Sequence, residues 1–190
     1  MRVNAGALIS ILAVVILSSC LGYKELPVEY DYSYMGQFKR YQTFTMLTPE
    51  AGDSLQYNEH IEKSIVSRMK FLGYGRSSRR PQLLVGYRVF TDSLRYRGYD
   101  QPDLESFLRA SNKDQDYVPM NMNMNTGTLA IYLIDSRQHR TVWQGYAVGL
   151  SRNMDYNSPR QLRNAVISIL DQYRVWAEGF LERTGLTEDD

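Results

Sequence analysis

Cysteine and histidine are both scarce in this chain of 190 residues, which contains one cysteine and two histidines. With a single thiol, the chain has no internal disulfide framework and no zinc site built on several cysteines. His60 and His139 belong to no H-E-x-x-H sequence, and no G-x-S-x-G nucleophile elbow is present. These shortages argue against zinc hydrolysis and against catalysis by an activated nucleophile.

Excess charge and long apolar runs are also lacking. The chain has 22 basic and 21 acidic residues, a net charge of +1, so no global field recruits nucleic acid. Its longest apolar stretch, Ala5 to Leu17, is shorter than the roughly 20 residues that a membrane-spanning helix needs. The stretch matches the apolar region of a secretory signal, so the sequence predicts export and no nucleic-acid partner.

A lipid attachment signal follows this stretch. Leu17-Ser18-Ser19-Cys20 resembles the lipobox of bacterial lipoproteins, in which cleavage precedes a cysteine that becomes lipid-modified, for example with palmitate. We therefore expect residues 1–19 to be a cleaved signal peptide and Cys20 to be the lipidation site. A lone thiol in an exported protein needs an explanation, and a thioether-linked lipid supplies one. A free thiol and an intermolecular disulfide are the alternatives.

The residues after Cys20 predict a short tether, residues 20–27, before the folded domain. Seven extended residues from Leu21 to Pro27 reach at most about 25 Å, which keeps the domain close to its membrane. Leu21 stands where Asp would signal inner-membrane retention in some bacteria, so it favours the outer membrane. The sequence leaves both the periplasmic face and the cell surface open.

A basic loop could contribute to membrane contact. Its three arginines, Arg76, Arg79 and Arg80, are the membrane-facing candidates, and each charge near anionic headgroups would add about 1 kcal/mol. The alternative is a solvated loop.

Apolar periodicity predicts the elements of the domain. Strict alternation predicts a strand over 28–34, and further strands are predicted over 41–47, 82–91, 128–134 and 141–150. Helical spacing predicts one helix, capped by Asp53 and Gln56 and ended by Gly73, and a second from Ser158 to Phe180. With the irregular middle set aside, the order β-β-α-β-β-β-α predicts an α+β two-layer sandwich, a mainly antiparallel sheet with two helices on one face.

The middle of the chain, about 92–126, lacks this regularity. We predict an irregular insertion with one short helix over 102–110, inside a single domain spanning 28–183 and followed by a flexible tail, 184–190. Arg95-Tyr96-Arg97-Gly98-Tyr99 interleaves aromatic and basic residues, as glycan-binding platforms do, although a strand end also shows this pattern.

Several short motifs together resemble a known family. They are Tyr30-Asp31-Tyr32, Leu72-Gly73-Tyr74, Pro81-Gln82-Leu83-Leu84-Val85, Gly127 and Val142-Trp143-Gln144-Gly145. In these motifs the chain resembles a family of bacterial outer-membrane lipoproteins built on one domain of unknown function. The resemblance implies an envelope location and an α+β fold, and it implies no catalytic residues.

Met120, Met122 and Met124 form the one candidate metal site. Thioethers are soft ligands suited to Cu(I), which makes copper binding the alternative function. On a strand, neighbouring methionines would lie about 6.6 Å apart at Cα, whereas two sulfurs on one ion lie within about 4.6 Å, taking zinc–thiolate bonds as a guide. Three interpretations of the stretch remain open: a Met-lined strand or cover segment, a surface for a partner or lipid, and, if the stretch is a loop, a copper site.

Carboxylates supply the candidates for a third function, an envelope hydrolase. They cluster in the insertion at Asp100, Asp103, Glu105, Asp114 and Asp116. Acidic loops are more often solvated.

Taken together, these features of the sequence predict a lipid-anchored envelope protein that is a non-catalytic binding or accessory module, without a cofactor. Its predicted partner is an envelope protein or a glycan.

Overall fold

A six-stranded mixed sheet covered by helices forms the domain. The structure, a computed structural model, describes residues 26–47, 58–90, 94–109, 118–124, 127–148 and 158–185. Its elements are β1 (Val28–Tyr32), a 3-10 turn (Phe38–Arg40), β2 (Thr43–Met46), α1 (Asn58–Phe71), β3 (Gly75–Arg76), β4 (Leu83–Phe90), β5 (Leu94–Asp100), α2 (Leu104–Arg109), β6 (Val118–Met124), β7 (Thr128–Asp135), β8 (Arg140–Val148), α3 (Pro159–Leu170) and α4 (Phe180–Thr184). The predicted capping box at Asp53 and Gln56 lies outside these ranges.

The strand order confirms the predicted α+β class. The main sheet runs β1-β8-β7-β4-β2-β3, and β5 and β6 form a separate two-stranded sheet. Neighbours in the main sheet are antiparallel except that β2 is parallel to both β3 and β4. These parallel pairs arise because α1 carries the chain from one end of β2 back to its other end.

The helices α1 and α3 lie together on one face of the sheet, as a two-layer sandwich requires. From α1, the residues at helical spacing, Ile61, Ile65 and Met69, are fully buried. Gly145 lies under α3: a Cβ there would be 2.5 Å from Trp143 and 2.7 Å from Ile169. The absence of a side chain at 145 therefore sets how closely helix and sheet approach.

The middle of the chain is more regular than the sequence suggested. The prediction that the insertion over about 92–126 is irregular apart from one short helix is wrong for Leu94–Asp100, which forms β5 and pairs along its whole length with β6. The alternation of Leu94, Tyr96 and Gly98 with arginines is compatible with a strand, but the arginines and the glycine favour a loop locally. The short helix predicted near 102–110 is confirmed as α2.

The last predicted helix is shorter than its apolar spacing suggested. The helix α3 ends at Leu170, and residues 171–173 continue as turns with hydrogen bonds from i to i−3, such as Tyr173 N–H to Leu170 O at 3.1 Å. Arg174 then adopts a left-handed conformation, φ 40°, which stops the helix. At the other end, Ser158 occupies the predicted N-cap position ahead of Pro159, but its side chain makes no capping hydrogen bond.

Candidate binding groove

The predicted anchor and membrane-facing residues occupy different regions. Cys20 lies outside the described residues. Arg76 belongs to the two-residue edge strand β3, and Arg79 and Arg80 lie in the following turn, all three exposed. The described part of the chain contains no helix that is both long and apolar enough to cross a membrane.

The methionine stretch is a strand. Met120, Met122 and Met124 occupy alternate positions of β6, where the backbone pairs with β5 in an unbroken antiparallel register. Of the environments left open by the sequence, the strand is therefore confirmed and the loop is wrong. Alternate strand positions are about 6.6 Å apart, a spacing that works against one ion shared by neighbouring sulfurs.

The acidic residues of the insertion that the structure describes with their side chains stabilise α2. The Asp103 carboxylate accepts hydrogen bonds from the Ser106 N–H at 2.8 Å and the Ser106 hydroxyl at 2.6 Å, as an N-cap does. These bonds lower the Asp103 pKa. Glu105 pairs with Arg109 one turn along. Asp114 and Asp116 lie outside the described ranges.

Histidine does not contribute to a site in the described structure. His60 is exposed on α1, and His139 is exposed in the β7–β8 turn with φ 51°. Among the residues that the structure describes, no three His, Cys, Asp or Glu side chains lie close enough to hold a metal ion.

A groove of about 430 Å³ lies beside α2. One wall is α2, through Glu105, Leu108 and Arg109, and the other is the segment 174–182; Lys39 closes one end from the 3-10 turn. This volume falls within the range of small-molecule pockets, roughly 300–1,000 Å³.

Backbone hydrogen bonds hold the wall formed by 174–182. The Ala177 N–H donates to Leu72 O at 2.9 Å, and the Glu178 N–H donates to Tyr41 O at 3.1 Å. The buried Tyr74 hydroxyl donates to Val175 O at 3.2 Å. Although it contains no strand or long helix before Phe180, this segment is therefore fixed to the core at three points.

Two aromatic rings extend this wall. Trp176 and Phe180 stack with centroids 5.5 Å apart and planes 7° from parallel. Phe180 in turn lies over Gly73, where a Cβ would be 2.2 Å from the Phe180 Cγ. Gly73 also has φ 86°, which confirms its predicted role in ending α1. The glycine of the Leu72-Gly73-Tyr74 motif thus serves the helix end and the groove wall together.

Aromatic packing and one amide attach the α2 wall to the core. The Phe107 ring packs against Tyr32 at 5.2 Å and Tyr34 at 4.8 Å between centroids. The Gln101 side chain accepts a hydrogen bond from the Tyr32 N–H at 3.2 Å and donates one to Tyr32 O at 2.9 Å. The insertion therefore forms one wall of the groove, and this wall is fixed to the core.

Charges around the groove balance. Three basic residues, Lys39, Arg109 and Arg174, face three acidic residues, Glu105, Glu178 and Glu182. Glu178 accepts a hydrogen bond from the Gln42 side chain at 2.9 Å. Carboxylate acceptors and guanidinium donors beside aromatic rings can bind a neutral ligand that carries many hydroxyl or amide groups.

A buried carboxylate, that of Asp135, joins the β7–β8 turn to the core. Asp135 accepts hydrogen bonds from the Tyr41 hydroxyl at 2.8 Å and from the N–H groups of Arg137 and Gln138 at 2.8 and 2.9 Å. Burial opposes its ionisation, yet these bonds outweigh burial and lower the Asp135 pKa. Burial raises the pKa of Tyr41, so this phenol stays a neutral donor.

Sequence reasoning missed the wall at 174–182, because it extended α3 through these residues. The available signal was the pair of glycines, Gly179 and Gly185, which have φ 67° and 68° and flank α4. Glycine at both ends of a five-residue stretch is typical of a short helix with its own boundaries.

Comparison with solved structures shows the fold. A PDZ domain protein from Parabacteroides distasonis matches with a TM-score of 0.51 and 16% identity over 78% of this chain and 35% of that one. A DUF4136 family protein from Bacteroides thetaiotaomicron matches with a TM-score of 0.50 and 15% identity over 78% of this chain and 95% of that one. The match thus spans about a third of the first protein and nearly all of the second.

The sequence matches no curated protein. A family model does match it: the "Domain of unknown function (DUF4136)" aligns with residues 28–173, so the groove wall at 174–182 lies beyond the aligned range. The predicted resemblance to a family with a domain of unknown function is therefore confirmed at the level of the domain. The chain belongs to the DUF4136 family.

Proposed function

We propose that this protein is a lipid-anchored component of the bacterial outer membrane that acts as a non-catalytic binding module, and that its ligand occupies the groove beside α2. The observation that carries the binding proposal is the groove itself, with two fixed walls, two aromatic rings and balanced charge. The family membership is compatible with a module of this kind.

The anchor rests on sequence and on the position of β1. Cys20 follows an apolar stretch and a lipobox-like Leu17-Ser18-Ser19, and only seven residues separate it from the first strand at Val28. A lipid at Cys20 would therefore hold this edge of the sheet within about 25 Å of the membrane. The exposed arginines of the 76–80 loop are candidates for contact with anionic headgroups.

We propose a neutral glycan as the ligand class. Hydroxyl-rich ligands need both donors and acceptors, and the groove offers guanidinium groups on Arg109 and Arg174 and carboxylates on Glu178 and Glu182. Trp176 and Phe180 add apolar ring surface. A strongly anionic ligand fits less well, because the acidic side chains offset the basic ones. The spacing of alternate residues in β6 likewise works against one copper ion bound by neighbouring methionines.

Membrane separation tests the anchor. In a Gram-negative host, we expect the wild type in the outer-membrane fraction and Cys20→Ala in the inner membrane, with its signal peptide still attached. Ser19→Ala is the matched control, because it keeps a small residue before the cysteine and should behave as wild type. If Cys20→Ala is processed and sorted like the wild type, the anchor proposal is wrong.

Titration with a neutral amino sugar tests the groove. We would measure binding of triacetylchitotriose by calorimetry to the wild type, Trp176→Ala and Phe71→Ala. Trp176 lines the groove, whereas Phe71 contacts Trp176 from outside it and is 58% exposed. We expect Trp176→Ala to weaken binding about tenfold or more, the equivalent of about 1.4 kcal/mol, and Phe71→Ala to leave it nearly unchanged. No binding by the wild type, or equal binding by all three, contradicts a glycan site here.

A further inference from the structure

The strand β1 is an edge of the main sheet, and two of its three outward residues have no backbone partner among the described residues. In that part of the chain it pairs with β8 alone, in an antiparallel register. In such a pair, residues that bond the neighbouring strand alternate with residues whose backbone groups point away from it. The Ser33 N–H donates to Val142 O at 2.8 Å, which assigns the odd-numbered residues to the bonded set. The residues that point away are Val28, Tyr30 and Tyr32.

One of these three positions is covered. The Gln101 amide bonds both backbone groups of Tyr32, at 3.2 and 2.9 Å, as a neighbouring strand would. Within the described structure, the outward N–H and C=O groups of Val28 and Tyr30 accept or donate no hydrogen bond. An uncovered strand edge is a template for a further strand. Here the open edge begins at Val28 and ends before Tyr32, whose backbone groups are bonded to Gln101.

The side chains of β1 define what this edge can accept. Glu29 is exposed and Asp31 is half-buried on the face away from the helices. Val28 and Tyr30 alternate with them and pack against the core on the helix face. An added strand would need basic residues beside the two carboxylates and apolar residues beside Val28 and Tyr30, since cross-strand neighbours of opposite charge are favourable.

No register favours a second copy of this chain: pairing centred on Val28 places only Pro27 opposite Glu29, and the other two registers bring like charges together. Antiparallel pairing of two β1 strands centred on Glu29 places that carboxylate opposite its own copy. Pairing centred on Tyr30 places Glu29 opposite Asp31 twice. Like charges directly opposite each other destabilise a pair of strands. The edge therefore favours a different protein over self-association.

We propose that the β1 edge at Val28 and Tyr30 is a strand-addition site for an extended segment of a partner protein in which basic and apolar residues alternate. Main-chain hydrogen bonds to the two free residues give affinity, and the carboxylates of Glu29 and Asp31 select the basic side chains. The added strand extends toward Pro27 and not past Tyr32, because Gln101 occupies that end. This site is separate from the groove.

Peptide binding tests the proposal. The probe is a fluorescent five-residue peptide of alternating lysine and valine, titrated against the full chain purified in detergent and monitored by anisotropy. Val28→Pro removes one outward N–H and leaves the bonds to β8 intact, so we expect binding to weaken about threefold to tenfold, the value of one hydrogen bond. Val28→Ala is the matched control, because it shortens the same side chain and keeps the N–H.

Charge reversal provides an independent arm. The wild type should prefer this lysine peptide to one of alternating glutamate and valine, and the Glu29→Lys variant, in which only Asp31 still carries a negative charge, should lose that preference. Circular dichroism confirms that each variant is folded. The proposal is overturned if folded Val28→Pro and Val28→Ala bind equally, if a backbone-methylated lysine peptide binds as tightly as the parent, or if sedimentation shows a wild-type dimer that Val28→Pro dissociates.

Discussion

Replacement of Gly73 by alanine perturbs both the end of α1 and the groove wall. Gly73 has φ 86°, a left-handed conformation that costs an alanine about 1–2 kcal/mol. The new Cβ would also be 2.2 Å from the Phe180 Cγ and 2.4 Å from its Cδ2, so the ring must move. Overpacking of this kind costs about 1–3 kcal/mol. We therefore expect Gly73→Ala to lower the free energy of unfolding by about 2–5 kcal/mol.

A double-mutant cycle separates the two costs. In a Phe180→Ala background the ring is gone and only the Cβ of residue 180, 2.7 Å from the new Cβ, stays close, so Gly73→Ala should cost little more than the left-handed conformation, about 1–2 kcal/mol. The coupling free energy between positions 73 and 180 should therefore be about 1–3 kcal/mol. Gly185→Ala is the control for backbone cost alone, because Gly185 has φ 68° and a Cβ there would meet nothing within 4 Å.

Urea unfolding of the four proteins in the cycle gives these values by linear extrapolation, provided that the m-values agree. Additive costs, with coupling under about 0.5 kcal/mol, would show that Phe180 does not lie over Gly73. The wall at 174–182 would then not be placed as described, and the groove would lose one side.

The remaining predictions concern the sheet and its connections. Gly145→Ala should lower the free energy of unfolding by about 1–3 kcal/mol in a urea titration, because its Cβ would be 2.5 Å from the buried Trp143; a cost near zero would contradict this packing. Gln101→Ala should cost about 1–3 kcal/mol for two hydrogen bonds to Tyr32, with a larger amide exchange rate at Tyr32 as the local readout; unchanged exchange would contradict those bonds. Asp135→Asn should cost about 1.5–3 kcal/mol at neutral pH, because the charged acceptor is lost. Since folding lowers the Asp135 pKa, its contribution is present above the unfolded pKa, about 3.9, and is lost as the pH falls through the folded value; a cost that does not decline as the pH is lowered from 3.9 would contradict this.

Much of the fold could be predicted because local patterns and tertiary structure agree. Alternating residues form β1, and the apolar faces of α1 and α3 pack together against the sheet. The glycines at 73 and 145 were also interpretable, since each lacks a side chain where another residue must approach. Which strands pair is decided by contacts distant in sequence, so the parallel pairing of β2 with β4 had no local signal.

The groove was harder to predict because its walls depend on tertiary contacts. Tyr173 and Ala177 continue the apolar spacing of α3 and are buried. The N–H groups of Ala177 and Glu178, however, donate hydrogen bonds to Leu72 O and Tyr41 O, and these bonds draw the chain out of the helix. Backbone hydrogen bonds to residues distant in sequence therefore outweigh the helical preference of this segment. In the insertion, Arg95 and Gly98 disfavoured a strand locally, and pairing with β6 outweighed that preference.

Metabolic labelling with an alkyne fatty acid is the most direct test of the central claim, that Cys20 anchors this binding module to the membrane. Cys20 is the only cysteine in the chain, so a thioether-linked lipid has one site. If Cys20 is lipidated, we expect strong labelling of the wild type and of Ser19→Ala, and loss of labelling in Cys20→Ala. Equal labelling of wild type and Cys20→Ala, or no labelling of either at matched expression, would contradict it.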